Sequence, residues 1–142
     1  MKEYQVLLFY KYTDVADPAA LAERVRTLAA ELSLTGRVIV AEEGINATFE
    51  GLVADTETFV TRFKEDARFA DVHIKRSAGT GKSFPKLSVK VRDEIVGTGF
   101  TREEADPRIA TAPKMSREEL RAWYEENRDF VVIDMRNNYE FA

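Results

Sequence analysis

The segment Ser77–Ser83, with the sequence SAGTGKS, carries the residue types of a phosphate-binding loop. A nucleotide-binding loop needs a glycine five residues before Gly81 and a helix directly after its lysine-serine pair. Arg76 holds the first of these positions, and Phe84–Pro85 follow where the helix would begin. The sequence therefore argues against a nucleotide site. It predicts a flexible glycine-rich loop whose Lys82 and backbone amides contact a phosphate on a larger ligand.

Basic side chains are concentrated in the acid-free span 75–92. The chain of 142 residues has a net charge of −4, yet six of its 21 basic residues fall in this span, which leaves 15 against 25 acidic ones elsewhere. A cationic segment on an acidic chain is typical of a site for a polyanion such as RNA. The alternative is a solvated, lysine-rich strand edge that blocks aggregation. The candidate RNA-binding residues are Lys75, Arg76, Lys82, Lys86, Lys90 and Arg92.

Acidic and imidazole side chains offer little further chemistry. Glu42 and Glu43 are adjacent acids suited to acid/base work or to holding a cation, but neighbours on a strand point to opposite faces. We interpret them as part of a solvated hairpin turn in which Asn46 tolerates an unusual backbone conformation. His73 is the only histidine and lacks a cluster of further ligands. We expect it to be partly buried in a strand, with no metal site in this chain.

Three tyrosines of the first apolar segment, Tyr4, Tyr10 and Tyr12, share strand parity and would lie on one face of a sheet. Exposed tyrosines on an open sheet can stack on the bases of RNA. The intervening Val6 and Leu8 favour the other interpretation, in which this face is covered and the tyrosines pack in a core or an interface.

The hydrophobic pattern predicts strands and helices in the order strand–helix–strand–strand–helix–strand. This is the ferredoxin-like βαββαβ arrangement of an acylphosphatase-like α+β domain, with both helices on one face of an antiparallel sheet and the other face free. The predicted strands are 4–12, 37–41, 47–51 and one that starts at 72–74. The predicted helices begin at the caps Asp17 and Asp55, and the first ends near Ser33.

A further basic strand, 87–91, follows this unit and alternates so that Lys86, Ser88, Lys90 and Arg92 share a face. We expect a ferredoxin-like domain over 1–97, a linker and connecting helix over 98–128, and the first strand of another domain over 129–142. The connecting helix should open with a capping box of Ser116 and Glu119, and present Leu120, Trp123 and Tyr124 on one face.

Phe130–Ile133 form a short apolar run followed by Asp134, as in a buried parallel strand whose carboxyl end carries a functional loop. A parallel strand needs neighbours joined by crossovers of about a dozen residues. We therefore expect the chain to be the front part of a longer protein. An unpartnered terminal strand would be poorly ordered or would promote self-association.

Composition narrows the remaining possibilities. The chain has no cysteine, which excludes disulfides and a cysteine nucleophile within it and is compatible with the cytoplasm. No apolar run approaches the ~20 residues that span a membrane. The start of the chain has no signal-peptide pattern.

Three blocks of the sequence carry a resemblance to a known family: Glu43–Gly51, Phe84–Val96 and Val132–Glu140. They resemble the UPF0176 rhodanese-related proteins. The block Glu43–Gly51 (EGINATFEG) resembles the family's Glu-Gly-Ile-Asn signature, with Ala47 where glycine is usual. Phe84–Val96 is similar to its Lys-Leu-x-Val-Lys block, and Val132–Glu140 resembles the opening of its rhodanese domain. The blocks occur in the family's order and extend over the whole chain.

The resemblance implies the N-terminal, tRNA-positioning part of a tRNA uridine hydroxylase. Members of this family make 5-hydroxyuridine at the wobble position with molecular oxygen as co-substrate, and their rhodanese cysteine would follow residue 142. The resemblance thus implies tRNA and a rhodanese domain in cis as partners, and no catalytic residue or cofactor in this chain.

Two alternatives remain. Rhodanese domains commonly transfer sulfur, so the parent could be a sulfurtransferase, and this part alone could be a module that binds RNA or protein without catalysis. Acylphosphatases share the topology, but Pro18 and Ala19–Leu21 occupy the region where those enzymes carry a glycine-rich, arginine-bearing loop.

Overall fold

The computed structural model describes residues 1–97, 106, 109 and 112–133. Contacts divide the chain into two compact units, Met1–Thr111 and Ala112–Ala142. The described part contains five strands, three α-helices and one short 3-10 turn. Their bounds are β1 Tyr4–Tyr12, α1 Pro18–Glu31, β2 Thr35–Ala41, β3 Gly44–Leu52, α2 Val53–Phe63, the 3-10 turn Ala67–Phe69, β4 Lys75–Gly79, β5 Leu87–Val91 and α3 Arg117–Glu125.

The strands form one sheet in the order β4-β1-β3-β2-β5. Every neighbouring pair is antiparallel except β2 and β5, which run parallel. Helices α1 and α2 pack on a single face, which carries the apolar core. The predicted ferredoxin-like α+β fold is therefore confirmed, and the extra basic strand extends the sheet beyond β2.

Local sequence explains where the helices begin. Asp17 caps α1 by accepting the Ala20 N–H at 3.0 Å, and Pro18 occupies the first turn, as predicted. The prediction that Asp55 caps α2 is wrong, because the helix begins at Val53 and Asp55 lies in its first turn. There the carboxylate still favours the helix, since it lies near the positive end of the macrodipole.

Phenylalanine rings fill the space between the sheet and α2. Phe49 of β3 lies 4.5 Å from Phe59, and Phe63 lies 5.1 Å from Phe9 and 4.6 Å from Phe69, all measured between ring centroids. All five rings are buried. Close-packed rings of this kind stabilise a core through both area burial and ring-ring contact.

The fourth strand starts later than the sequence predicts. Pairing with β1 begins at Lys75, opposite Leu8, and not at 72–74. The Val72 N–H donates to the carbonyl of Phe69 at 3.1 Å, so this segment still belongs to the turn that precedes the sheet. The expectation of a partly buried His73 within a strand is also wrong, because His73 is exposed and lies before the strand.

The second unit contains α3, which opens with the predicted capping box. The Glu119 N–H donates to Ser116 Oγ at 3.1 Å, and the Ser116 N–H donates to Glu119 Oε2 at 2.7 Å. Phe130 returns to pack against Trp123 and Tyr124, with ring centroids 5.5 and 5.0 Å apart.

That Phe130–Ile133 form the first strand of a further domain stays a prediction. These four residues pair with no strand in the described part of the chain, and Val131, Val132 and Ile133 are exposed. Residues 98–105, 107, 108, 110 and 111 of the predicted linker, and Asp134 with the residues after it, lie outside the described residues.

We predict that Phe63→Ala lowers the free energy of unfolding by about 3–5 kcal/mol, because it removes the ring that joins three others and leaves a cavity. Urea denaturation followed by circular dichroism measures this. Thr58→Ala, on an exposed position of the same helix, is the matched control and should change stability by no more than about 0.5 kcal/mol. Equal losses in the two variants would contradict the packing described.

Candidate nucleic-acid interface

Strand register sorts the sheet residues into two faces. Directly paired residues share a face, and alternate residues along each strand share it too. Leu7, Phe9 and their partners face the helices. The other face, here called the open face, has two central rows. The first row runs Lys75, Leu8, Thr48, Arg37 and Ser88, and the second runs Tyr10, Asn46, Ile39 and Lys90.

The six predicted RNA-binding residues are all exposed, but they do not form one continuous patch. Strands β4 and β5 are the two edges of the sheet. Four strand spacings of ~4.8 Å place them roughly 19 Å apart. The linear cluster of charge in the sequence is therefore split across the width of the domain.

Four of the six basic residues belong to the open face. Lys75 and Lys90 lie in its central rows. Lys86 and Arg92 extend the β2–β5 ladder by one residue at each end, through bonds from the Gly36 N–H to the Lys86 carbonyl and from the Arg92 N–H to the Val40 carbonyl. The side chains of Lys86 and Arg92 therefore lie on the same face as that of Lys90, as the sequence predicts.

Arg76 lies on the helix side of the sheet instead, because it pairs with Leu7. Its guanidinium Nε is 2.7 Å from Glu57 Oε1, and Gln5 donates to the same oxygen at 2.7 Å. The Arg76 and Gln5 hydrogen bonds lower the pKa of Glu57 below its ordinary value. Arg76 thus anchors β4 to α2 and is not placed to contact a ligand on the open face.

One open-face cation was missed by reading the sequence for basic runs. Arg37 is exposed and lies between Thr48 and Ser88 in the first row. Its signal is the parity of β2, where Val38 and Val40 point inward and Arg37 must point outward. A search for charge by strand parity would have found it.

The glycine-rich loop encloses a carboxylate of the protein itself. Glu50 of β3 is only 2% exposed although it lies on the open-face side of the sheet. Its Oε1 accepts the N–H groups of Thr80 and Gly81, at 2.7 and 2.9 Å, and the Ser83 hydroxyl at 2.8 Å. Its Oε2 accepts the Ser83 N–H at 2.8 Å.

These contacts correct the prediction that the loop amides meet a phosphate. Burial alone would raise the pKa of Glu50, but the Ser83 hydroxyl and the three amides outweigh it and hold the pKa below its ordinary value. The Glu50 carboxylate is therefore a fixed anion, and it occupies the position among the loop amides that the sequence assigns to a phosphate. Lys82 is exposed at the loop surface, and its own N–H donates to Thr80 Oγ1 at 3.2 Å.

Two glycines make this enclosure possible. Gly81 has φ +77°, a conformation that glycine adopts without strain, and a Cβ there would come within 2.7 Å of the Tyr4 ring. A Cβ on Gly79 would come within 2.6 Å of Glu50 Oε1. These glycines suggest a phosphate loop in the sequence. In the structure they allow the loop to pack closely against the Tyr4 ring and the Glu50 carboxylate.

A second buried carboxylate fixes the segment after β5. Glu43, which is buried, accepts the Ile95 N–H on Oε1 at 2.8 Å, and the Asn46 side-chain amide donates to the Ile95 carbonyl at 3.2 Å. The interpretation of Glu43 and Asn46 as solvated turn residues is therefore wrong. Together they bind both backbone groups of Ile95, which is itself buried.

The tyrosines of β1 differ in exposure. Tyr10 is 56% exposed, and its neighbour Leu8 is 42% exposed, whereas Tyr4 and Tyr12 are half-buried. The Tyr12 ring meets Tyr10 edge to face at 6.1 Å. Burial and the nearby Glu43 carboxylate raise the pKa of Tyr12. The prediction that these tyrosines are covered is therefore partly right for Tyr4 and Tyr12, and it is wrong for Tyr10.

The described residues lack two further features. They contain no group of three or more histidine, cysteine, aspartate or glutamate side chains that could hold a metal ion. Their helices are all too short or too polar to cross a membrane.

We predict that Glu50→Gln lowers the free energy of unfolding by about 2 kcal/mol at neutral pH, because hydrogen bonds to a charged acceptor are lost. The Glu50 pKa is depressed in the folded state, so its contribution is present above the ordinary value of 4.5 and is lost as pH falls through the folded pKa. The acid-induced loss of stability should consequently be shallower in the variant. Denaturation curves across the acidic range measure it.

The control is Glu65→Gln, at an exposed carboxylate, which should leave both stability and its pH dependence nearly unchanged. If Glu50→Gln and wild type lose stability in parallel on acidification, the enclosed carboxylate is not the stabilising anion described.

We predict that Glu43→Ala exposes the Ile95 amide to faster hydrogen exchange and costs about 1–3 kcal/mol, because a buried N–H loses its acceptor. Glu43→Gln keeps an acceptor oxygen and should retain most of the protection. Glu42→Ala, at the adjacent exposed acid, should leave Ile95 protected. Exchange rates followed by NMR distinguish these outcomes, and unchanged protection in Glu43→Ala would contradict the bond.

Sequence comparison finds close relatives of known name. A tRNA uridine(34) hydroxylase of Staphylococcus haemolyticus is 38% identical over 139 residues, which cover 98% of this chain and 43% of the relative. A tRNA uridine(34) hydroxylase of Listeria welshimeri is 40% identical over 142 residues, covering 99% of this chain and 44% of the relative. The chain thus spans less than half the length of these relatives.

Structural comparison supports the fold alone. The BlrP1 BLUF structure aligns with a TM-score of 0.55 at 15% identity, over 94% of this chain and 97% of that one. The dark-state structure of the BLUF protein BlrB aligns with a TM-score of 0.53 at 21% identity, over 66% of this chain and 74% of that one. At such low identity, shared topology carries no information about ligand or activity.

The sequence profile of a protein family decides the affiliation. The profile described as "UPF0176 acylphosphatase like domain" matches residues 4–95, which contain the complete sheet, both packed helices and both buried carboxylates. With this match over most of the chain, and with the relatives above, the chain belongs to the UPF0176 family.

Proposed function

We propose that this chain positions tRNA for a uridine(34) hydroxylase of which it forms the N-terminal part. In this proposal residues 1–97 contact the RNA. Residues 98–128 form a linker and a connecting helix, and residues 129–142 lead into a rhodanese domain in cis. The enzyme is cytoplasmic, takes molecular oxygen as co-substrate and forms 5-hydroxyuridine. The names of the relatives support the reaction, and the open face supports the binding role.

The observation that carries the binding role is the collection of cations on the open face. Three of them lie in strands, Lys75 in β4, Arg37 in β2 and Lys90 in β5, while Lys86 and Arg92 flank β5. All five are exposed. The chain as a whole is acidic, with a net charge of −4. A cationic face on an acidic body steers a polyanion to that face and binds its phosphates with little sequence preference.

The two buried carboxylates support a binding role over a catalytic one. Glu50 accepts four hydrogen bonds from the 80–83 loop, and Glu43 accepts the Ile95 amide. The Glu50 carboxylate is a poor proton acceptor, because protonation would break its hydrogen bonds to the loop. The Glu43 carboxylate is buried against the Ile95 amide. Both side chains therefore serve architecture, and we assign no catalytic residue to this chain.

The test is charge reversal of Lys86, Lys90 and Arg92 together. The triple variant should bind tRNA about tenfold more weakly, and the slope of log Kd against log salt should fall by about 2, because fewer counterions are released. Fluorescence anisotropy with labelled tRNA over a salt series measures both. The same changes in the gene's complete product should reduce the 5-hydroxyuridine content of tRNA when it complements a deletion strain.

The matched control reverses Arg24, Arg62 and Lys64, which lie in the helix layer and change the net charge equally. If both triple variants weaken tRNA binding equally, the effect comes from net charge alone, and the proposal that the open face binds tRNA is refuted. Normal 5-hydroxyuridine in a strain deleted for the gene, with thiosulfate-dependent thiocyanate formation by the product, would favour a sulfurtransferase instead.

A further inference from the structure

The centre of the open face combines aromatic, apolar and cationic side chains in a fixed arrangement. Tyr10 and Leu8 lie two residues apart on β1, so their side chains share a face, and they are the large exposed hydrophobic residues of the two central rows. Lys75 lies beside Leu8 on β4, and Arg37 and Lys90 lie on β2 and β5, across the sheet. In the described part of the chain none of these three cations forms an ion pair.

We propose that this face binds unpaired nucleotides, with a base stacked on the Tyr10 ring and the phosphates on either side held by Lys75, Arg37 and Lys90. The inference rests on the proposed tRNA function and narrows it. The ligand is a single-stranded stretch of RNA, such as a loop, and not the surface of a duplex.

Stacking is favoured because the Tyr10 ring is exposed and also supported. The half-buried Tyr12 ring meets it edge to face at 6.1 Å, which limits the orientations the Tyr10 ring can take. The paired strands beneath it are regular from Tyr4 to Tyr12. A rigid aromatic platform loses little entropy on binding, and any base can stack on it.

The charge around the platform selects RNA over a protein or a second apolar surface. The two central rows contain three cations and no acid, and Glu50, in the next row, is enclosed by its own loop. Two carboxylates, Glu43 and Glu94, lie near Tyr12 at one end of the face, and Glu43 is bonded to the Ile95 amide. Three strand spacings, roughly 14 Å, separate Tyr10 from Lys90 across the second row. With cations on both sides of the aromatic ring, an RNA backbone can run across the sheet so that its phosphates contact the cations while its bases face the protein.

The experiment compares two RNAs on this chain: single-stranded oligouridine and a blunt RNA duplex of the same length. Tyr10→Ala should weaken binding of oligouridine about five- to 150-fold, because one stacked base is lost, and should leave duplex binding unchanged. Tyr10→Phe keeps the ring and should bind like wild type. Tyr124→Ala, at an exposed tyrosine of α3, is the matched control and should bind both RNAs like wild type.

A spectroscopic readout is independent of affinity. In a Trp123→Phe background, Tyr10→Trp should show tryptophan fluorescence that oligouridine quenches and the duplex does not. Binding of oligouridine that is equal in wild type and Tyr10→Ala, with no quenching at position 10, would overturn the inference. The tRNA function would then stand on the charge-reversal result alone, with a protein as the alternative occupant of the face. If tRNA and both oligonucleotides fail to bind wild type at low salt, the proposed function falls as well.

Discussion

The carboxylate of Glu50 is the constraint on which the open face depends. Four hydrogen bonds tie it to a loop that would otherwise be free to fold over the sheet or away from it. A buried charge without such partners would cost several kcal/mol, so the loop and the carboxylate are stable only together. Because the acid is enclosed, its charge is met by donors of the protein. The cations of the neighbouring rows then face solvent without an opposing carboxylate between them.

Sheet order is the second constraint, because it determines which charges can act together. The basic residues of the span 75–92 separate to opposite edges, and Arg37 enters from a distant part of the sequence to lie between them. A surface built in this way is defined by register more than by composition. A slip of one residue in β5 would turn Lys86, Lys90 and Arg92 toward the helices.

Much of the fold could be predicted from the sequence, because alternation, the Asp17-Pro18 cap and the Ser116–Glu119 box are local signals. The candidate site was less accessible to such reasoning. The burial of Glu50 and Glu43 depends on donors about 30 and 50 residues away, at 80–83 and at Ile95, and local pattern carries no trace of those contacts. The same holds for Arg76, whose assignment to the helix side follows from its partner across the sheet. The hydrophobic run at 72–74 predicts strand pairing, but β4 pairs only from Lys75, so the predicted positions of His73 and of the start of β4 are wrong.

The position of β1 within the sheet has a consequence for how the protein is made. Residues 4–12 leave the ribosome before both of their partners, since they pair on one side with β3 and on the other with β4, up to Gly79. At elongation rates of about 5–20 residues per second, this apolar strand waits on the order of several seconds for its second neighbour. During that interval Leu7 and Phe9, which end up fully covered, are open to any hydrophobic surface nearby. The nascent chain therefore exposes apolar surface that chaperones can bind until the sheet is complete.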